Sequence, residues 1–207
     1  MGRKIKQSPK LPAEKRRHQL LQAAHQLFAS KGYRESSTDD IARKAGLTKG
    51  AFYFHFKSKE EILLALMRRQ AEGFRQILTE KVDHMSGPGD LLRVMLKECP
   101  FESSREFRSM VDIWSQAMRV ARIRKYFTQI HEESTRFLVD HMAARTGWNR
   151  DELYQSVVLT LSLADGLAAH RAMDPKLVNA NAQIALFRSM SESWLSRKKR
   201  MTKKRKV

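Results

Sequence analysis

From Ala13 onward, apolar residues recur every three or four positions. Leu20, Ala23, Ala24, Leu27 and Phe28 fall on one face of a helix that stops at Gly32. Thr38, Asp39 and Asp40 predict an N-cap with acids in the first turn of a second helix only about two turns long, with Ile41, Ala42 and Ala45 inward and Gly46 at its end. Leu47 fills a turn, and Thr48 caps a third short helix, KGAFYFHF, whose buried members are expected to be Ala51, Phe52 and Phe56. Ser58 as N-cap and Glu61 at the capping-box position then open a long fourth helix. Ile62, Leu63, Leu66, Met67, Phe74, Ile77 and Leu78 keep its period until the Ser86-Gly87-Pro88-Gly89 break.

Beyond that break the helical period persists. Leu91, Leu92, Met95 and Leu96 predict a short helix before Pro100, and Phe107, Met110, Val111, Trp114 and Met118 another. Phe127, Ile130, Phe137, Leu138 and Met142 mark a long helix ending near Gly147, followed by one over 151–171 and a last one over 179–196 after Asp174-Pro175. No strand pattern and no repeat of 20 to 50 residues is visible, so the expected fold class is all-α: a three-helix helix-turn-helix head and a larger helical bundle. The expected divisions are a flexible basic arm (1–12), the head (13–57), the bundle (58–196) and a disordered basic tail (197–207).

Charge sharpens this division. The net charge is +18, but 1–60 hold 14 Lys/Arg against 5 Asp/Glu and 197–207 hold 8 basic residues and no acid, whereas 61–196 are nearly balanced. Basic charge gathered at two ends of a neutral body points to a polyanionic partner, with nucleic acid leading. The plain alternative is a solvated charged surface with no partner. No stretch of about 20 apolar residues occurs, and the basic first dozen residues are not followed by an apolar run. A cytoplasmic protein without membrane association is expected. The single cysteine, Cys99, has no second thiol to pair with or to build a zinc site.

A helix-turn-helix needs two short helices, a tight turn, and a second helix with one buried and one bare face. Residues 38–56 meet these requirements. On the bare face Thr48, Lys49, Gly50, Tyr53 and His55 are placed to point into a major groove, where Thr and Lys bond base edges or phosphates and Gly permits close backbone approach. Tyr53 and His55 stay open, at this point, between DNA contact and plain solvent exposure. Lys57 and Lys59 lie at the next helix start, where backbone N–H groups and positive side chains hold phosphate.

The run STDDIARKAGLTKGAFYFHFKSKEEILLALM, with RRHQLLQAAHQLFASKGYRESST upstream, resembles the N-terminal signature of the TetR (tetracycline-repressor-like) family over about residues 13–80. The Gly-Leu-Thr-Lys-Gly turn, the aromatic-rich third helix and the Lys-Ser-Lys-Glu-Glu entry carry the likeness together. The resemblance implies that Thr38 and Lys59 contact phosphate, that Thr48, Lys49 and Gly50 open the recognition helix, and that Tyr53 and His55 face DNA. It also implies a homodimer on a palindromic operator of double-stranded DNA, joined through the last two helices, and an unidentified small-molecule effector held among the middle helices. Farther along, the likeness rests on architecture and on loose cues such as Asp112-Ile113-Trp114, Ala164-Asp165-Gly166-Leu167 and Met173-Asp174-Pro175. The tail RKKRMTKKRKV departs from the family pattern.

Met110, Trp114, Met118, Tyr126, Phe127 and His131 are candidates to line an effector cavity, although aromatic and Met stripes also occur as ordinary core. His131, His141 and His170 show no close metal-ligand spacing, and no cofactor or metal is expected. The chain has no Gly-rich phosphate loop, no nucleophile elbow and no standout carboxylate pair, so no enzymatic activity is expected. The expected function is a ligand-responsive transcription repressor. Its rivals are a sequence-indifferent nucleoid-type or RNA-binding protein and an enzyme that keeps the head as a relic.

Overall fold

The computed structural model describes residues 12–98 and 104–204, and the side chains among them except those of 104–106, 108–109 and 196–204. The described residues form nine α-helices and no strand. They fall into two compact units that divide between Met67 and Arg68.

The first unit holds α1 (Ala13–Lys31), α2 (Thr38–Lys44), α3 (Lys49–His55) and the beginning of α4 (Lys59–Lys81). α1 packs on α2, and α2 on α3. Leu20, Ala24, Ile41, Phe52 and Ile62 are wholly buried, and Phe28, Phe56 and Leu63 nearly so. Each large apolar side chain removed from water stabilises by about 1.5–3 kcal/mol. Leu27, expected inside, is half-buried, and Leu21 and Ala29 are buried instead. The division falls ten residues later than the helix-turn-helix pattern alone indicates, because 59–67 fold with the head.

The turn between α2 and α3 follows from backbone accounting. α2 ends at Lys44 with Ala45 as its C-cap, Gly46 takes a left-handed φ of 67°, its N–H donates to the Arg43 carbonyl, and the Leu47 N–H donates to that of Ala42 at 2.9 Å. This paired closure satisfies carbonyls that the helix end leaves open, and the positive φ is why glycine stands at 46.

The second unit holds the rest of α4 with α5 (Pro88–Lys97), α6 (Ser104–Arg119), α7 (Ala121–Thr146), α8 (Arg150–Met173) and α9 (Ala180–Lys204). α5 packs against α8 and α9, and α7 against α6 and α8. Leu78, Met85, Leu91, Val94, Leu138, Met142, Leu153 and Val157 form the main core. A second cluster of Leu92, Leu96, Ala164, Ile184 and Phe187 lies where α9 meets α5 and α8. At Gly89 a Cβ would come within 2.6 Å of the Cβ of Arg188, so only glycine allows this approach of α5 to α9. One residue later the Arg188 guanidinium donates to Asp90 at 2.6 Å.

The structure sets the remaining helix ends. α7 begins at Ala121 and buries Ile123 in its first turn. α8 begins at Arg150, one residue before the expected start, and Asn149 caps it by accepting from the N–H groups of Asp151 and Glu152. α9 continues as helix through Lys204, past the expected end at Ser196. Lys and Arg are good helix formers, and extending an existing helix needs no new nucleus. Most of the expected basic arm (1–11), Cys99 and the last three residues lie outside the described residues.

Candidate nucleic-acid interface

The site is built on α2 and α3, and their caps fix it. The N-cap of α2 is Ser37, one residue earlier than expected: its side chain accepts from the Asp40 N–H, and the Asp40 carboxylate accepts from the Ser37 N–H. The Ser-x-x-Asp spacing carries this capping box in the sequence. The backbone N–H of Ser37, then Lys31 and the Ser37 hydroxyl, hold the Asp40 carboxyl well below the usual carboxylate range. Arg43 also pairs with it.

Thr48 caps α3 as expected, its hydroxyl oxygen accepting from the Ala51 N–H at 3.2 Å. That bond occupies an acceptor lone pair and leaves the hydroxyl proton able to donate outward. Thr38 is the first residue of α2, and its hydroxyl lies 3.3 Å from that of Tyr53. The two hydroxyls bring the start of α2 and the outer face of α3 to one surface.

Phe52 and Phe56 anchor α3 inward, their rings 6.0 Å apart, while the Arg17 guanidinium sits 5.1 Å over the Phe56 ring. Lys49, Gly50, Tyr53 and Phe54 then fall together outward, because residues four apart on a helix share a face. All four are exposed, Phe54 at 78%. His55, half-buried, lies off this face with its ring edge-on to Phe54 at 5.0 Å. Counting each aromatic of this helix as either core or polar contact overlooks Phe54, which is exposed. Its spacing of four from Gly50 is the signal that identifies it.

Electrostatics separates the lysines. The Lys49 ammonium lies 3.1 Å from the Asp39 carboxylate, and the hydrogen bond to Asp39 raises its pKa. Lys57 is exposed, its backbone N–H donating to the Glu61 carboxylate at 2.6 Å while Ser58 accepts from the Glu61 N–H. Lys59 behaves differently. Its ammonium donates to the carbonyls of Tyr33 at 2.7 Å, Arg34 at 3.1 Å and Ser36 at 2.9 Å, and lies 4.4 Å from the Tyr33 ring centre. Burial lowers its pKa, against the opposing charge of Glu35. An ammonium has three donors, and all three are taken, so Lys59 fastens the turn after α1 and has none left for phosphate.

In the second unit the cavity candidates differ in exposure. Met118 is 73% exposed at the end of α6. Met110, Trp114, Tyr126, Phe127 and His131 are half-buried, with Phe127 and His131 rings 6.3 Å apart and Tyr126 accepting from Arg68 at 3.0 Å. An open groove along α8 and α9 is instead lined by Ser156, Leu159, Phe187, Met190, Ser191 and Trp194, among others. Among the described residues no group of three or more His, Cys, Asp or Glu is arranged to hold a metal ion, and no helix is long and apolar enough to cross a membrane.

Two short capped helices joined by a glycine turn, the second with an inward aromatic face and an outward Lys-Gly-Tyr face, constitute a helix-turn-helix DNA-binding domain. Residues 20–66 match the family described as bacterial regulatory proteins, tetR family. It is 40% identical over 79 residues to the HTH-type transcriptional activator FasR of Mycolicibacterium smegmatis, covering 36% of each chain. It is 43% identical over 68 residues to the transposon Tn10 TetC protein of Escherichia coli, covering 33% of this chain and 34% of that one. These matches thus span about a third of the relatives' own length. The solved structure of Salmonella enterica GusR superposes with a TM-score of 0.68 at 20% identity, covering 92% of this chain and 99% of that one. This extends the likeness in fold to the whole helical body.

Proposed function

We propose that this protein is a sequence-specific transcriptional regulator, a ligand-responsive repressor that binds a palindromic operator as a homodimer. The observation that carries the reading is the outward face of α3. Lys49, Gly50 and Tyr53 are exposed, and the core is completed by Phe52 and Phe56 on the opposite side. With the hydroxyls of Thr38 and Thr48 beside them, these groups supply donors, acceptors and a close-approach point to a major groove. Lys57 adds an exposed cation at the entry to α4. Two such helices in a dimer reach half-sites whose centres lie about 34–36 Å apart.

The dimer reading is supported by the exposed apolar side chains Leu159 on α8 and Leu186, Met190 and Trp194 on α9. Such a patch on a water-facing surface favours burial against a second copy. Leu161 and Phe187, the positions singled out on sequence alone for this contact, belong to the core clusters. For the effector, the half-buried Met110, Trp114, Tyr126, Phe127 and His131 are the residues we assign, without Met118.

The test is selection of duplexes from a random-sequence pool, followed by titration against unrelated DNA. A specific regulator recovers a common two-fold sequence and prefers it by roughly 10³-fold or more. Tyr53→Ala or Lys49→Ala then weakens binding to it by about 1–3 kcal/mol per lost contact with the helical content unchanged. Equal affinity for all duplexes overturns the reading in favour of a sequence-indifferent DNA-coating protein.

A further inference from the structure

Phe54 is the most exposed large apolar side chain among the described residues of the head. Its exposure of 78% compares with 0% for Phe52 and 2% for Phe56 on the same segment. The fold gains little from it, since its ring contact is the edge-on one with the half-buried His55. Its neighbours on the outward face are Gly50, one turn earlier, and Tyr53.

Gly50 supplies the second observation. A Cβ built there meets only the Thr48 hydroxyl oxygen, at 3.9 Å, and its φ is not positive. Nothing within the head requires a glycine at this position. The gap is on the outer surface, directly beside the exposed ring, where it lets an outside body approach the α3 backbone closely.

We infer that Phe54 is a specificity-determining residue that reads thymine, packing its ring against the 5-methyl group on the major-groove edge of an A·T pair while Gly50 lets α3 sit deep enough to reach it. This rests on the operator reading above and adds a base identity to it. A phenyl ring carries no hydrogen-bond donor or acceptor, so it cannot tell the polar edges of the four base pairs apart. The thymine methyl is the apolar mark that the major groove offers. A ring placed over it buries apolar surface on both partners, and over cytosine or a purine edge it covers polar groups without bonding them.

The experiment uses the full chain and the duplex it selects from the random pool, with each thymine in turn replaced by uracil, which removes only the methyl. At one or two positions per half-site, uracil should weaken wild-type binding by about fourfold, the weight of one buried methyl-sized group. In Phe54→Ala the same replacement should have no effect, and in Phe54→Leu, which keeps an apolar tip, the sensitivity should return in part. Phe54 being exposed, all three proteins are expected to keep the same circular dichroism. Uracil sensitivity that persists unchanged in Phe54→Ala, or its absence at every thymine in the wild type, overturns the inference while leaving the operator reading intact. A pool that yields no common sequence overturns both, and does so at the selection step.

Discussion

The ammonium of Lys59 donates to the backbone carbonyl of Tyr33 at 2.7 Å, joining the start of α4 to the turn that follows α1. With the carbonyls of Arg34 and Ser36 also accepting, a charged side chain closes a stretch of backbone that has no helix to satisfy it. Ser36, buried in the same turn, donates its hydroxyl to the Gly32 carbonyl at 2.7 Å.

Replacing Lys59 therefore acts on stability first. Lys59→Met should destabilise the head by about 1.5–3 kcal/mol, the range for hydrogen bonds to a charged group. Lys59→Arg, although it keeps the charge, should also destabilise it, because a planar guanidinium does not reproduce three bonds from a single nitrogen. Amide hydrogen exchange in α1 to α3 reads this. A phosphate contact would give the opposite pattern, with stability unmoved and the slope of log K against log salt reduced by about 0.9 in the Met variant alone.

On the proposed interface, Asp39 would compete with DNA phosphate for the Lys49 ammonium. Asp39→Asn frees the ammonium and removes a negative charge from the surface that faces phosphate, so affinity for any duplex should rise severalfold at low salt. The gain should fade near 1 M salt, where charges are screened within about 3 Å. Both residues are solvent-exposed, and the melting temperature should hardly move. Fluorescence anisotropy at several salt concentrations checks the first part, and unaltered affinity at low salt would mean that Lys49 is not on the DNA.

Gly50→Ala separates folding from binding. The added methyl has room, and alanine favours a helix by up to about 1 kcal/mol over glycine. The head should become slightly more stable while its affinity for the selected duplex falls. A variant that binds as well as the wild type would show that α3 does not approach DNA at this position.

Neighbouring leucines on α8 should behave in opposite ways. Leu159, 60% exposed, should tolerate glutamate as a folded protein that sediments as a monomer at micromolar concentration. Leu161, packed in the main core, should lose several kcal/mol of stability when glutamate is buried there. A Leu159→Glu protein that remains a dimer would remove α8 from the interface.

Asp165 gives the body a pH dependence. Burial raises its carboxyl pKa from 3.8 to about 6. Below about pH 4 the group is protonated in both the folded and the unfolded chain. As pH rises through 6 the folded state must carry an ill-solvated charge that the unfolded state carries freely, so stability is lost. Because the side chain is only partly enclosed, about 1–2 kcal/mol is expected, less than a fully buried charge would cost. Asp165→Asn should melt higher than the wild type at pH 7.5 and alike at pH 4. Parallel melting curves across that range would exclude the effect.

How much of this was legible in advance divides along physical lines. The sequence by itself determined the all-α class, the bounds of most helices and the placing of a helix-turn-helix over 38–56. Those features depend on period, capping residues and glycine, which act within a few residues of each other. Phe52 and Phe56 could be assigned inward, and Thr48 to its cap, for the same reason. The motif over 20–66 is local as well, and it was recognisable without coordinates.

Only the tertiary structure decided where the side chains of Lys59, Lys49 and Phe54 stand. Lys59 reaches carbonyls 23 to 26 positions away, and Lys49 reaches an acid ten positions earlier across the turn. Whether a basic side chain is free for phosphate depends on such partners, and sequence spacing carries no trace of them. Leu161 and Leu159 differ only in which way α8 is turned, and the small hydrophobic bias between its faces left that undetermined until α5, α7 and α9 were packed around it. Local pattern fixes which residues share a helix face, whereas the partner opposite that face, and hence its chemistry, is set by packing between elements far apart in the chain.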